Sequence, residues 1–154
     1  MFKVQWFRPG GWRCSPLNAA LYVKGDRVFK RNHIHIQFKT GEVKVTHLET
    51  DKCIIRTCSA LDHPRTLMGD FFAIESCLKE ICADLLPKKS FSLAPIAIVQ
   101  FLDKTDGGVT NVEIRAFREA ILGAGSRQVY FPESQKPMSK SELKELKFSQ
   151  LANV

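Results

Sequence analysis

No apolar run in this sequence approaches the roughly 20 residues that span a bilayer. The opening residues hold no uninterrupted apolar stretch of the kind a secretory signal uses, so a cytoplasmic chain is expected. Internal repeats and low-complexity tracts are absent. There is no P-loop, nucleophile elbow or HExxH helix, which removes the commonest templates for phosphoryl transfer, serine hydrolysis and zinc peptidase chemistry. Ser92, Asp62 and His63 have no spacing that makes a triad. The five cysteines, Cys14, Cys53, Cys58, Cys77 and Cys82, are odd in number and contain no CxxC pair. Reduced, partly buried thiols are therefore expected. Acidic groups are also short, 16 against 23 basic ones, for a net charge of +7.

That charge is uneven. Residues 1–31 carry seven basic groups against Asp26 alone, a net +6. The remaining 123 residues carry 16 basic and 15 acidic groups, so the basic character belongs to an N-terminal arm. The arm mixes Lys3, Arg8 and Arg13 with Phe2, Trp6, Phe7 and Trp12, and Pro9-Gly10-Gly11 interrupts it. Rings interleaved with cations suit a membrane interface, where the rings sit at headgroup level. They also suit single-stranded nucleic acid, through stacking and phosphate contacts. A third reading packs some of the aromatics on the domain and leaves the rest of the arm loose. The domain itself is expected over residues 32–150, with a frayed tail at 151–154.

Residues 94–133 are the stretch around which the rest of the chain is arranged. Pro95 to Leu102 is nearly all apolar, as a strand covered on both faces must be. The turn cluster DKTDGG follows at 103–108. Thr110 then stands three residues before Glu113, the spacing of a capping box. Val112, Ala116, Phe117, Ala120 and Ile121 share a helical face, and Gly123 and Gly125 can supply the positive φ that ends the helix. Arg127 to Phe131 returns as a short strand, giving a right-handed strand–helix–strand crossover.

Upstream, Asn32–Phe38 and Glu42–Leu48 alternate about Lys39-Thr40-Gly41 as a hairpin, and CIIRT at 53–57 completes an antiparallel meander. His33 and His35 share one face of the first strand. If Thr40-Gly41 is the loop, His47 pairs with Ile34 and lies on the other face. No third ligand then converges, so surface or edge histidines are expected and no metal. Asp70 caps a helix over about 71–86, with Phe71, Ile74, Leu78, Ile81, Cys82 and Leu85 as its stripe. Ser139 and Glu142 repeat the capping box before a short terminal helix.

The resulting order, β-β-β-α-β-α-β-α, is an α/β arrangement. It resembles the ribonuclease-H-like half of actin-type ATPases: an antiparallel meander extended by parallel strands, with helices on both faces. HPRTLMGDF before an amphipathic helix resembles the stretch entering the first large helix of the bacterial actin MreB, the rod shape-determining family. GVTNVEIRAFREAILGAGSRQVYFPE is similar to that family's GxTxVERRAxxxAxxxAGAxxVxLIEEP. Gly108, Thr110, Val112, Glu113, Arg115, Ala116, Ala120, Ala124, Gly125, Val129 and Glu133 match. The resemblance covers roughly residues 33–147, most specifically 63–133, and corresponds to one subdomain.

Actin-like ATPases cradle phosphate on a first hairpin with an Asp-x-Gly-Thr turn, whose backbone N–H groups and carboxylate serve the nucleotide and its Mg²⁺. Here Gln37 replaces the acid and Lys39 the glycine, ahead of Thr40 and Gly41. The second phosphate loop and the adenine motif have no counterpart. The resemblance thus implies a degenerate phosphate-loop position, no cofactor and no catalytic residue. Glu113, which in MreB-like ATPases helps position attacking water, has a structural reason to be there in its capping box. The implied role is non-enzymatic: contacts with a protein partner, itself or an MreB-like filament component, at the inner face of the membrane. A homo-oligomer is expected, with Phe72, Leu67, Met68, Phe91 and Phe101 as candidates for its surface and equally for the core. The alternative is an adaptor using Lys3, Trp6, Phe7, Arg8, Trp12 and Arg13 on a membrane surface or, less favoured, on nucleic acid.

Overall fold

A computed structural model describes residues 32–86, 93–103, 108–134 and 136–151. Five strands, β1 (His33–Lys39), β2 (Glu42–His47), β3 (Cys53–Thr57), β4 (Ile96–Phe101) and β5 (Gln128–Tyr130), form one sheet in the order β3-β2-β1-β4-β5. β1 pairs antiparallel with β2, and β2 with β3, while β4 runs parallel to both β1 and β5. The helices are α1 (Phe71–Leu85), α2 (Asn111–Gly123) and α3 (Lys140–Glu145), with a 3-10 turn at Ser59–Leu61.

Local chemistry accounts for most boundaries. Lys39 pairs with Glu42, so Thr40-Gly41 is the two-residue turn, and Ile34 faces His47 as the alternation requires. Gly41 takes φ +73° there, a value an L side chain resists. The Asp70 carboxylate accepts the Ala73 N–H at the head of α1. Thr110–Glu113 and Ser139–Glu142 both close as reciprocal capping boxes. Gly125 has the positive φ expected after α2. Gly123 serves differently: it is the last residue of α2, and a Cβ there would collide with the Glu75 carboxylate of α1, so its role is close helix approach.

Alternation in β1 splits the protein into two layers. Ile34, Ile36 and Phe38 face α1 and α2 together with Val43, Val45, Ala97, Val99 and Phe101, in the main core. At its carboxyl end Phe38, Phe101 and Phe117 pack with ring centroids 4.6 to 5.9 Å apart, and Phe131 stacks on Phe101. The opposite face carries a smaller cluster, Leu48, Ile98 and Leu143, closed by Met138, Leu146 and Phe148.

Four expectations change. Val112 is 74% exposed and Ile114 takes its place in the stripe. Ile114 precedes Phe117 and Ile121 by three and seven residues, whereas Val112 lies about 200° round the helix from it. Leu67 and Phe101 are core residues and Met68 packs against that core, so of these candidates only Phe72, 77% exposed, lies at the surface among the described residues; Phe91 lies outside them. His33, His35 and His47 are buried, not superficial: residues 136–150 return across the His35 side of the sheet, and Glu49, in the turn beyond β2, reaches both His33 and His47. Cys53 is disulfide-bonded, while Cys58, Cys77 and Cys82 are free thiols.

Candidate functional site

Because β1 and β4 are parallel, their carboxyl ends reach the same sheet edge, and the chain leaving β4 enters α2 nearby. In open α/β sheets that edge is where ligands bind. Here it gathers the β1–β2 turn, Asp103, the loop 62–70 and the head of α2.

The turn is tied down on every side. Gly41 N–H donates to Leu61 O at 3.2 Å and Gly41 O accepts from Cys58 N–H at 2.8 Å. Leu102 N–H donates to Phe38 O at 2.9 Å, which brings Asp103 alongside. The Asp103 carboxylate then accepts the Thr40 N–H in a short hydrogen bond. A side-chain carboxylate therefore sits on a backbone amide of the β1–β2 turn. Gln37 stands opposite Gln100 in the parallel register, and Lys39 closes the hairpin opposite Glu42. Neither supplies the carboxylate that a Mg²⁺ site would use.

Glu113 is equally committed. Its Oε2 accepts from Thr110 N–H and Thr110 Oγ1, both at 2.8 Å, and its Oε1 accepts from Thr66 Oγ1. Thr66 Oγ1 in turn accepts the Met68 N–H at 3.1 Å. Partial burial pushes the Glu113 carboxyl up, but hydrogen bonds from Thr66, Thr110 and the Leu67 backbone outweigh it and hold the group below the usual range. It is an ionised clasp between the loop 62–70 and α2. Beside the turn, a depression of about 280 Å³ is lined by Ser59, Asp62, His63 and Asp70 among others, with Asp70 already used as a helix cap.

A second polar cluster lies on the other face. His35 Nε2 and Gln100 Oε1 are 2.8 Å apart, and Gln100 Nε2 donates to Ser134 O and Lys136 O at 2.9 and 3.2 Å. The two carbonyls fix the amide, so His35 carries its proton on Nε2 and donates. Burial lowers the His35 pKa to about 4; the Gln100 hydrogen bond opposes this and Lys44 adds to it. At the far end Glu49 bonds the His33 backbone and Nδ1, both at 2.9 Å, and comes within 3.3 Å of His47 Nε2. The face alternation of His33 and His47 holds, yet Glu49, in the turn beyond β2, reaches both. Among the described residues no group of three or more His, Cys, Asp or Glu side chains is arranged to hold a metal.

The structure thus brings Thr40 and Gly41 together with Asp103, and Glu113 with Thr66. Lys3, Trp6, Phe7, Arg8, Trp12 and Arg13 lie outside the described residues. Asp103, Thr66, Gln100 and Glu49 were not singled out from sequence. Gln100 carried a signal: an amide inside an otherwise apolar buried strand requires a partner. Asp103 carried a weaker one, as the first turn residue after a parallel strand.

No protein-family model matches the chain. It is similar to the uncharacterized protein YjaA of Escherichia coli (strain K12), 28% identical over 96 residues, covering 59% of this chain and 75% of that protein.

Proposed function

We propose that the chain is an actin-like domain, related to the rod shape-determining MreB proteins, that works through protein contacts and does not turn over nucleotide. The reading is supported by the sheet order β3-β2-β1-β4-β5, with β2 alone antiparallel to the rest, on the element order expected of a ribonuclease-H-like half. Segments 63–70 and 108–133, which resemble that family in sequence, form the loop and crossover at the carboxyl edge. The observation that carries the non-catalytic part is the Asp103 carboxylate on the Thr40 amide, where an incoming phosphate would meet a fixed negative charge. Lys39 and Gln37 beside it, and Glu113 engaged through both oxygens, agree with that.

The partner is a second copy or a filament component of the same family, met at the cytoplasmic face of the membrane. Exposed Phe72 at the head of α1 is a natural contact residue. No helix among the described residues is long and apolar enough to cross a membrane. The test is co-sedimentation of the full chain with polymerised bacterial actin, beside light scattering and a thermal shift with Mg-ATP. Pelleting that Phe72→Ser weakens, with no nucleotide-dependent shift, is the expected result. A nucleotide shift that Asp103→Asn enlarges would refute the non-catalytic reading.

The net +6 charge of residues 1–31, mixed with aromatics, favours a second reading as a membrane-surface adaptor. Flotation with anionic but not neutral vesicles, lost in a chain carrying Arg8→Glu and Arg13→Glu, would establish it. Retention of a single-stranded oligonucleotide in place of vesicles would assign the arm to nucleic acid.

A further inference from the structure

The segment that returns across the polar side of the sheet has its two ends in one core and its middle in another. Phe131 is fully buried in the main core, and Leu151 packs against that core. Between them the chain closes a neck. Leu151 N–H donates to Phe131 O at 3.0 Å, Glu133 N–H donates to Ser149 O at 2.9 Å, and Pro132 bridges Gln150. Residues 136–148, which include α3, lie instead on the small cluster, where Leu143 packs with Leu48 and Ile98, and Met138, Leu146 and Phe148 close the rim. Three buried side chains keep far less area from water than the main core does, so the middle is the weaker attachment.

Its other fastenings are polar. Lys140 Nζ donates to both Asp51 carboxylate oxygens, at 2.6 and 2.7 Å, and Lys144 Nζ stands 3.9 Å from Glu49 Oε1. Glu49 is itself held by the His33 backbone and ring, so the sheet side of this contact is fixed. The Lys140–Asp51 pair is exposed, which makes it weak and open to screening by salt. Nearer the neck, Gln100 Nε2 donates to the Ser134 and Lys136 carbonyls. Asp51 and Leu146, one on each side of the contact, have φ of 57° and 53°. That left-handed conformation is costly for a leucine, so α3 is held closed against local backbone strain.

We propose that residues 136–148 are a charge-latched strap, which lifts from the sheet as one unit while the neck and the main core stay folded. The neck supplies the pivot, because both its strands are tied to each other and to the main core. Lys140 on Asp51, with Lys144 beside Glu49, supplies the latch. Lifting uncovers Ile98 and Leu48, and it frees the Gln100 amide that had held two strap-side carbonyls. Salt weakens the latch without touching the apolar main core, so the strap responds to ionic strength where α1 and α2 do not.

Ile98, fully buried in the small cluster, is the place to look. The native full-length chain carrying Ile98→Cys is treated with iodoacetamide in low and high sodium chloride, and labelling is read on tryptic peptides by mass spectrometry. Cys82, buried in the main core and on a different tryptic peptide, reports opening of the whole fold in the same sample. The expected result is labelling at position 98 about tenfold faster than at Cys82, and faster again in high salt with no matching change at Cys82. Asp51→Asn and Lys140→Ala should each speed it about threefold, and the two together no further, since each breaks the same pair. Leu143→Cys, on the strap's own buried side, is read in the same way if Ile98→Cys does not fold. Equal rates at the two thiols, no response to salt, or additive effects of Asp51→Asn and Lys140→Ala would each overturn the proposal.

Discussion

The two faces of β1 differ although one strand supplies both. On the side of α1 and α2 it presents Ile34, Ile36 and Phe38 to a continuous apolar core. On the other it presents His33, His35, Gln37 and Lys39, of which both histidines are buried. The first face is held by area removed from water, which is non-directional and forgiving of detail. The second is held by a few hydrogen bonds, in which each partner left unmatched is costly. Size should therefore matter on one face and chemistry on the other.

Four measurements press on that contrast. Phe117→Ala removes a fully buried ring from the aromatic cluster and should cost about 3 to 5 kcal/mol in urea unfolding, whereas Phe117→Leu should recover most of it. Acidification from pH 6.5 acts first on the polar face. The folded pKa of His35, about 4, lies below its ordinary 6.5, so the unfolded chain takes up the proton first. The stability that keeping His35 neutral contributes is complete above pH 6.5 and falls as pH drops from there towards 4, by about 3 kcal/mol in all. Unfolding curves at stepped pH should show that slope, and His35→Gln should flatten it. Gln100→Ala strands His35 and two carbonyls and should cost about 2 kcal/mol, with faster amide exchange in α3 than in α2. Gln100→Leu, although more apolar, should do no better. Smallest is Lys140→Ala, which breaks the exposed pair with Asp51 and should cost under about 1 kcal/mol, less in high salt.

The same contrast explains which features could be read from the sequence. Hairpin register, the Thr110–Glu113 and Ser139–Glu142 boxes and the Asp70 cap depend on neighbours within four residues, and each is as expected. The stripe of α1 depends on period alone and also holds. Burial of His35 beside Gln100 depends on the C-terminal segment coming back across the sheet, which no local spacing announces. Asp103 on Thr40 and Thr66 on Glu113 join positions 63 and 47 apart in the chain. Their meeting is a product of the parallel β1–β4 pairing, so the candidate site was legible in its residues and not in its contacts.

Central placement of β1 also bears on how the chain assembles. The meander closes through a two-residue turn and can zip up early, but His33 finds Ile96 only after a loop of 63 residues is drawn in. Until then the apolar side of the hairpin has no helical cover. Substitutions at that parallel seam should therefore slow refolding, while those between β2 and β3 should chiefly hasten unfolding.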